Sequence, residues 1–326
     1  MAARGGDKEQ SGLIPLRETR LIRELEKRAR QQFATPTQQR IIEASLCTDA
    51  EAVAILFQHS ALCQTFLPYR DPGQDIREWI RINGYVHLKV IAGEAADPVK
   101  QQLVPVGLPF GPKARVVLMH INQQAMLAQS PVIEVENTLT SFVRRALKFD
   151  TDGRTIRTVK DQLSRLSASS MRLAMFEGER GRTVNTSIIE GFDIWAKDDR
   201  QRTLWPSTIQ LSPRYWESLN NHAVPLVEAH IGALSHNAMA LDIYAWLAQR
   251  LHRVPSGKPT LVTWPLLHGQ FSGDKGRLVD FRKAFRPALK QVLALYRDAK
   301  IEDNEKGLVL HHSLPVVKPR LMAIGG

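Results

Sequence analysis

Two sets of cations have a spacing that could do chemistry. Arg282, Lys283, Arg286, Lys290 and Arg297 fall on one face of the segment Arg277–Arg297 at 100° per residue. Leu278, Phe281, Phe285, Ala288, Leu289, Val292, Leu295 and Tyr296 share a different face. The segment Arg154–Leu173 repeats the pattern. Arg154, Arg157, Arg165 and Arg172 lie on one side, with Lys160 nearby, and Ile156, Val159, Leu163, Leu166 and Leu173 on the other. Such faces do stoichiometric chemistry. Lysine and arginine neutralise phosphates, and the planar arginine fork matches the two acceptors on the major-groove edge of guanine. The same pattern also describes the solvated face of a packed helix, and for either segment alone the spacing does not separate the two.

Residue types suited to catalysis are sparse. No Gly-rich Lys-Ser/Thr motif occurs, so ATP use has no support, and the carboxylates are scattered without a metal-binding cluster. A nicking tyrosine would stand beside a His-rich metal motif. Tyr215 and Tyr244 lack one and read as core or boundary residues, as does His120. His311-His312 would point to opposite faces of a strand. Cys47 and Cys63 are the only cysteines, both among apolar neighbours. Two thiols in a long chain imply a reducing compartment, no disulfide framework and no zinc site. We therefore expect no enzyme, no cofactor and no metal, and a cytoplasmic location.

The balance of the chain agrees with a polyanionic partner. It has 326 residues, 44 Lys plus Arg against 33 Asp plus Glu, and a formal charge of +11. Nucleic acid is the simplest such partner and an anionic membrane surface the lesser one. A hydrophobic content of 43% suffices for packed cores. No apolar run approaches the roughly 20 residues of a membrane span, and Met1–Gln10 lacks the apolar stretch of a secretory signal.

The elements that would position the two cationic faces follow one order twice. In the later unit, helices over Leu226–Leu234 and Ala238–Leu251 precede a strand at Leu261–Trp264 and a short helix at Pro265–Phe271. The basic helix Arg277–Arg297 follows, then a hairpin of Lys300–Glu302 and Gly307–His312. In the earlier unit, a helix over Lys113–Gln129, a strand at Val132–Val135 and a helix over Leu139–Leu147 precede the basic helix. Strands at Ala174–Glu177, Thr183–Ala196 and Leu204–Leu211 come after it, and Pro213–Asn220 is a linking helix. Helix, turn, basic helix and β-ribbon is the order of a winged helix-turn-helix. Upstream, Leu16–Phe33 and Thr37–Gln64 read as helical, the latter interrupted at Thr48-Asp49, Trp79–Ala92 as a hairpin turning at Asn83-Gly84, and Gly93–Val106 as a loop. The expected fold is α+β: two tandem winged-helix domains with an N-terminal helical and β-hairpin extension. The expected boundaries are 1–65, a partly disordered helical extension; 66–221, the first domain; 222–315, the second; and 316–326, a basic tail.

Several stretches together resemble the plasmid-encoded RepA replication initiators. They include Gly107-Leu-Pro-Phe-Gly-Pro-Lys-Ala-Arg115, Gln162-Leu-Ser-Arg-Leu166, Leu204-Trp-Pro-Ser-Thr-Ile209, Ala240-Leu-Asp-Ile-Tyr-Ala-Trp-Leu247, and Trp264-Pro-Leu-Leu-His-Gly-Gln-Phe271 followed by Phe281-Arg-Lys-Ala-Phe285. Leu67-Pro68-Tyr69-Arg70-Asp71 and Asn83-Gly84 also fit the pattern. The resemblance spans about residues 66–315 in number and order of pieces rather than in any one motif. It implies binding of repeats in double-stranded origin DNA, duplex opening, and recruitment of a host initiator and replicative helicase. It also implies a possible homodimer that represses its own promoter. A winged-helix repressor with no replication role is the alternative. Pro287 departs from the pattern by breaking or kinking the second basic helix. The edges at Asn83-Gly84 and Val132–Val135 are where a second chain could add, with Ile133 the position at which a charge should favour monomer.

Overall fold

The computed structural model describes residues 35–46, 54–97, 101–134, 138–177, 180–192, 208–272 and 276–317. The expectations for Leu16–Phe33 and for the tail beyond 317 lie outside these residues.

The chain begins with helix α1 (Pro36–Leu46), opened by Thr35, whose backbone N–H and hydroxyl donate to Gln38 Oε1 at 2.8 and 3.1 Å. Strand β1 (Ile55–His59) follows, so the expected helix over Thr37–Gln64 stops at Leu46. A short apolar run such as Ile55-Leu56-Phe57 suits a buried strand as well as a helix, and pairing decides between them. Strands β2 (Glu78–Asn83) and β3 (Val86–Ile91) form the expected hairpin, with Gly84 supplying a φ of 54° at its turn. The segment read as a loop after it is a second hairpin, β4 (Glu94–Asp97) and β5 (Gln102–Pro105).

Helix α2 (Gly111–Ala128) carries Pro112 in its first turn and is followed by a C-cap, Gln129, in the left-handed region. Strand β6 (Val132–Glu134) leads to α3, one turn over Leu139–Ser141 that widens into a π-helical turn at Phe142–Ala146. Helix α4 (Gly153–Ala168) is capped by Asp152, which accepts from the backbone N–H groups of Arg154 and Thr155 at 2.9 Å. These bonds hold the Asp152 carboxyl below its usual range, the Thr155 hydroxyl contributing most. The helix stops five residues short of the expected Leu173, at the Ser169-Ser170 pair, where the Ser169 hydroxyl donates back to Arg165 O at 2.6 Å. Strands β7 (Ser170–Glu177), β8 (Arg180–Ser187), β9 (Ile189–Phe192) and β10 (Thr208–Leu211) follow, then α5 (Pro213–His222). One sheet runs β2–β3–β7–β8 and another β6–β10–β9.

The expected helix Leu226–Leu234 is instead a strand and a helix, β11 (Ala223–Val227) and α6 (Glu228–Leu234). β11 pairs antiparallel with β1, from Ile55↔Val227 to His59↔Ala223. Then come α7 (Ala238–Arg250), β12 (Thr260–Thr263), α8 (Trp264–Ser272), α9 (Leu278–Leu295), β13 (Ile301–Asp303) and β14 (Gly307–Leu310). The last three strands form a sheet in the order β12–β14–β13. Gly307 is obligatory there, because a Cβ would collide with the Val262 carbonyl across the ladder. The protein is thus α+β, with helices packed among several small sheets.

Pro287 does not break α9, which is continuous from Leu278 to Leu295. Pro287 itself is exposed, while Phe281, Phe285, Ala288, Leu289, Val292 and Leu295 are buried. Tertiary burial of that stripe outweighs one lost backbone bond.

Three of the stretches that resemble RepA, those holding Leu67-Pro68, Gly111 to Arg115 and Asp242, meet in the interior in a polar knot. Arg115 on α2 uses all five of its donors. Its Nε and one Nη2 hydrogen reach the Asp242 carboxylate on α7, each at 2.7 Å. The remaining three reach the carbonyls of Leu67 at 2.7 Å, Gly111 at 2.9 Å and Pro68 at 3.2 Å. The two side chains are 3% and 6% exposed. Burial pushes the Asp242 carboxyl up, and the charge and hydrogen bonds of Arg115 oppose that shift.

Candidate nucleic-acid interface

Helix α9 presents the cations expected of it. Lys283 and Lys290 are exposed and Arg282 and Arg286 half-buried, opposite the apolar stripe that packs on α7 and α8. Arg297 lies just past the helix, where its Nη2 donates to Ser45 Oγ at 3.1 Å, so it is turned toward α1. The side chain of Trp264, 1% exposed, underlies the ridge. The guanidinium carbons of Arg282 and Arg286 sit 5.1 and 5.0 Å from its ring centroid. Arg286 also makes a two-bond pair with Asp303 at the end of β13, Nε to Oδ2 at 2.8 Å and Nη2 to Oδ1 at 2.9 Å. Nearby, His311 Nε2 lies 2.9 Å from Glu302 Oε1.

Helix α4 splits its expected set. Arg154 and Arg157 are exposed, and Lys160 is half-buried. Arg165 is a correction, because it is 6% exposed and points inward. Its guanidinium meets Asp161 at 2.9 Å and Asp71 at 3.3 Å, and donates to Leu108 O at 3.1 Å. The reason is local: Asp161 stands one helical turn before it, at the spacing where opposite charges pair. Arg172 lies on β7 rather than on a helix, between Lys89 and Asn185 in the sheet register. Arg144 and Arg145, in the π-helical turn that precedes α4, are exposed cations that periodicity did not single out.

The sequence reading gave no role to Trp264, Asp303 or Asp242, although Trp264 and Asp242 lie within the stretches that resemble RepA. The partnership of Asp303 with Arg286, 17 positions away, carries no sequence signal. Ile133, expected at a strand edge where a second chain could add, is 2% exposed and belongs to the core. Strand β2 does lie at a sheet edge and exposes Ile80 and Ile82 at 50% and 55%. Among the described residues no group of three or more His, Cys, Asp or Glu could hold a metal ion. No described helix is long and apolar enough to cross a membrane.

Comparison with solved structures finds domains 2 and 3 of RctB, in a selenomethionine crystal form. That match has 10% identity and a TM-score of 0.47, over 77% of this chain and 95% of the other. A second RctB structure of the same domains matches at 9% identity and a TM-score of 0.44, over 77% and 94%. No curated protein matches the sequence. The family model described as plasmid encoded RepA protein matches residues 108–265, from just before α2 to the first two residues of α8. Over residues 108–265, just under half of its length, the chain is similar to the plasmid-encoded RepA family.

Proposed function

We propose that the protein is a plasmid replication initiator that binds repeated sites in double-stranded origin DNA through two winged-helix units. α9 and α4 would enter the major groove, and the β13–β14 hairpin would lie along the backbone. The observation that carries this reading is the ridge of exposed Lys283 and Lys290 and half-buried Arg282 on α9, a helix whose opposite face is used in packing. Arg154 and Arg157 give α4 a shorter version of the same ridge. The match to the RepA family model adds the replication context. Mechanism on this reading is stoichiometric: lysines on phosphates supply affinity, and arginine forks on base edges supply sequence choice. Opening of the duplex, recruitment of a host initiator and helicase, pairing of two chains along the β2 edge, and a cytoplasmic location belong to the same proposal.

The test is a DNA-binding titration across salt concentrations with wild type and Lys283→Ala/Lys290→Ala. Two lost phosphate contacts should flatten the slope of log affinity against log salt by about two units. An unchanged slope means the ridge is merely solvated. In cells, a plasmid fragment that replicates only when the protein is supplied supports the initiator. Promoter repression without replication would assign it to the repressors instead.

A further inference from the structure

On the reading that α9 enters the major groove, we infer that Asp303 is the positioning residue that aims Arg286 at a guanine. The pair is 40% and 35% exposed, and ion pairs this open add little to stability. Its geometry points to another use. Asp303 takes the Nε–H and one Nη2–H of Arg286, which clamps one edge of the guanidinium. Among the described residues Nη1 has no partner, so the edge formed by Nη1 and the second Nη2 hydrogen is left open. That edge has the two parallel donors that match O6 and N7 of guanine.

The clamp is itself held on a rigid base. The turn after Asp303 is closed by Asn304, whose Oδ1 accepts from the N–H groups of Lys306 and Gly307 at 2.9 and 3.1 Å. Trp264 fastens the same turn from below, its Nε1 donating to Asn304 O and its backbone N–H to Lys306 O, each at 3.0 Å. The ring of Trp264 then carries the Arg286 guanidinium on its face. Arg286 is therefore restrained from the side by a carboxylate and from beneath by an indole, both anchored to one turn. A long side chain loses much rotamer freedom on binding, and fixing it beforehand removes that cost. Asp303 also sets a negative charge near the DNA path, which lowers affinity for every sequence while favouring the one that Arg286 reads.

The experiment selects duplexes from a randomised pool with the full-length chain. Each position of the selected site is then scored by single-base substitution and by 7-deazaguanine, which removes N7 alone. Wild type should select a guanine at which either change weakens binding roughly 5- to 150-fold. Arg286→Lys should erase that penalty at this guanine and at no other. Asp303→Ala, with Arg286 intact, should shrink the same penalty while raising affinity for unrelated duplexes. A penalty that survives Asp303→Ala, with affinity raised for all sequences alike, overturns the inference and leaves a simple surface pair. Loss of penalties at every position would mean the hairpin itself has been disturbed, and also overturns it. A wild-type chain that selects no sequence sinks the DNA-binding reading, and the inference with it.

Discussion

Arg115→Met should turn a fully satisfied buried pair into a liability. The substitution keeps the aliphatic volume and removes five donors, among them both bonds to Asp242. The Asp242 side chain is 6% exposed, so it is left as a buried carboxylate without its cation. Breaking a buried pair from one side costs about 3–5 kcal/mol. Typical domains have a total stability of about 5–15 kcal/mol, so the effect is large. The loss should also depend on pH in a definite direction. Burial already pushes the Asp242 carboxyl up, and without Arg115 it rises further. A carboxyl whose folded pKa exceeds its unfolded value keeps full stability below the unfolded pKa and loses it as pH rises through the folded one. The gap between wild type and Arg115→Met should therefore be widest at neutral pH and narrow toward pH 4. Denaturant unfolding at a series of pH values measures it. Asp242→Leu in the Arg115→Met background should recover most of the loss, since two apolar groups leave no stranded charge. A loss under about 1 kcal/mol at neutral pH, a gap that ignores pH, or simple additivity of the two substitutions would each refute the argument.

Arg165→Ala should lower the melting temperature, at a cost of about 1–3 kcal/mol, with no change in the salt dependence of DNA binding, because its guanidinium is spent on Leu108 O, Asp71 and Asp161; a flatter salt slope at unchanged stability would contradict that placement. Ile133→Glu should unfold the protein rather than shift its assembly, whereas Ile82→Glu, at an exposed position on the β2 edge, should keep the fold and lower any dimer fraction seen by sedimentation. The fold should weaken in acid. Burial holds His59 down to about 3 and His120 and His230 to about 4, against 6.5 for the free side chain. Depressed histidines contribute stability above the unfolded pKa and lose it as pH falls toward the folded one, at about 1.4 kcal/mol per pH unit for each group. Stability that stays flat from pH 6.5 to 4.5 in denaturant titrations would contradict their burial.

What was legible in the sequence was whatever periodicity alone controls. The amphipathic stripe of α9 and the hairpin at Gly84 needed no distant partner to be seen. β1 and β11 were hidden because each is a short apolar run, equally good as helix, whose strand character comes from the other 170 or so residues away. The end of α4 was misjudged because Met171 and Leu173 continue the helical stripe numerically while their side chains serve a sheet. The cationic faces were legible as charge but not as availability. Whether an arginine faces solvent depends on its acidic neighbours, and those of Arg165 and Arg286 include Asp71 and Asp303, brought in by the fold.

The pairing of β1 with β11 has a consequence in time. A ribosome releases the chain from its N-terminus at about 5–20 residues per second, so β1 emerges roughly 10–30 s before its partner. For that interval Ile55, Leu56 and Phe57 form an unpaired apolar edge, the kind of segment that recruits foreign strands. The helices between can settle locally, but the register Ile55↔Val227 closes only after most of the chain has been made. Assembly of this protein is therefore gated late. A synthesis pause or truncation upstream of Val227 should yield aggregation-prone fragments rather than a smaller working unit.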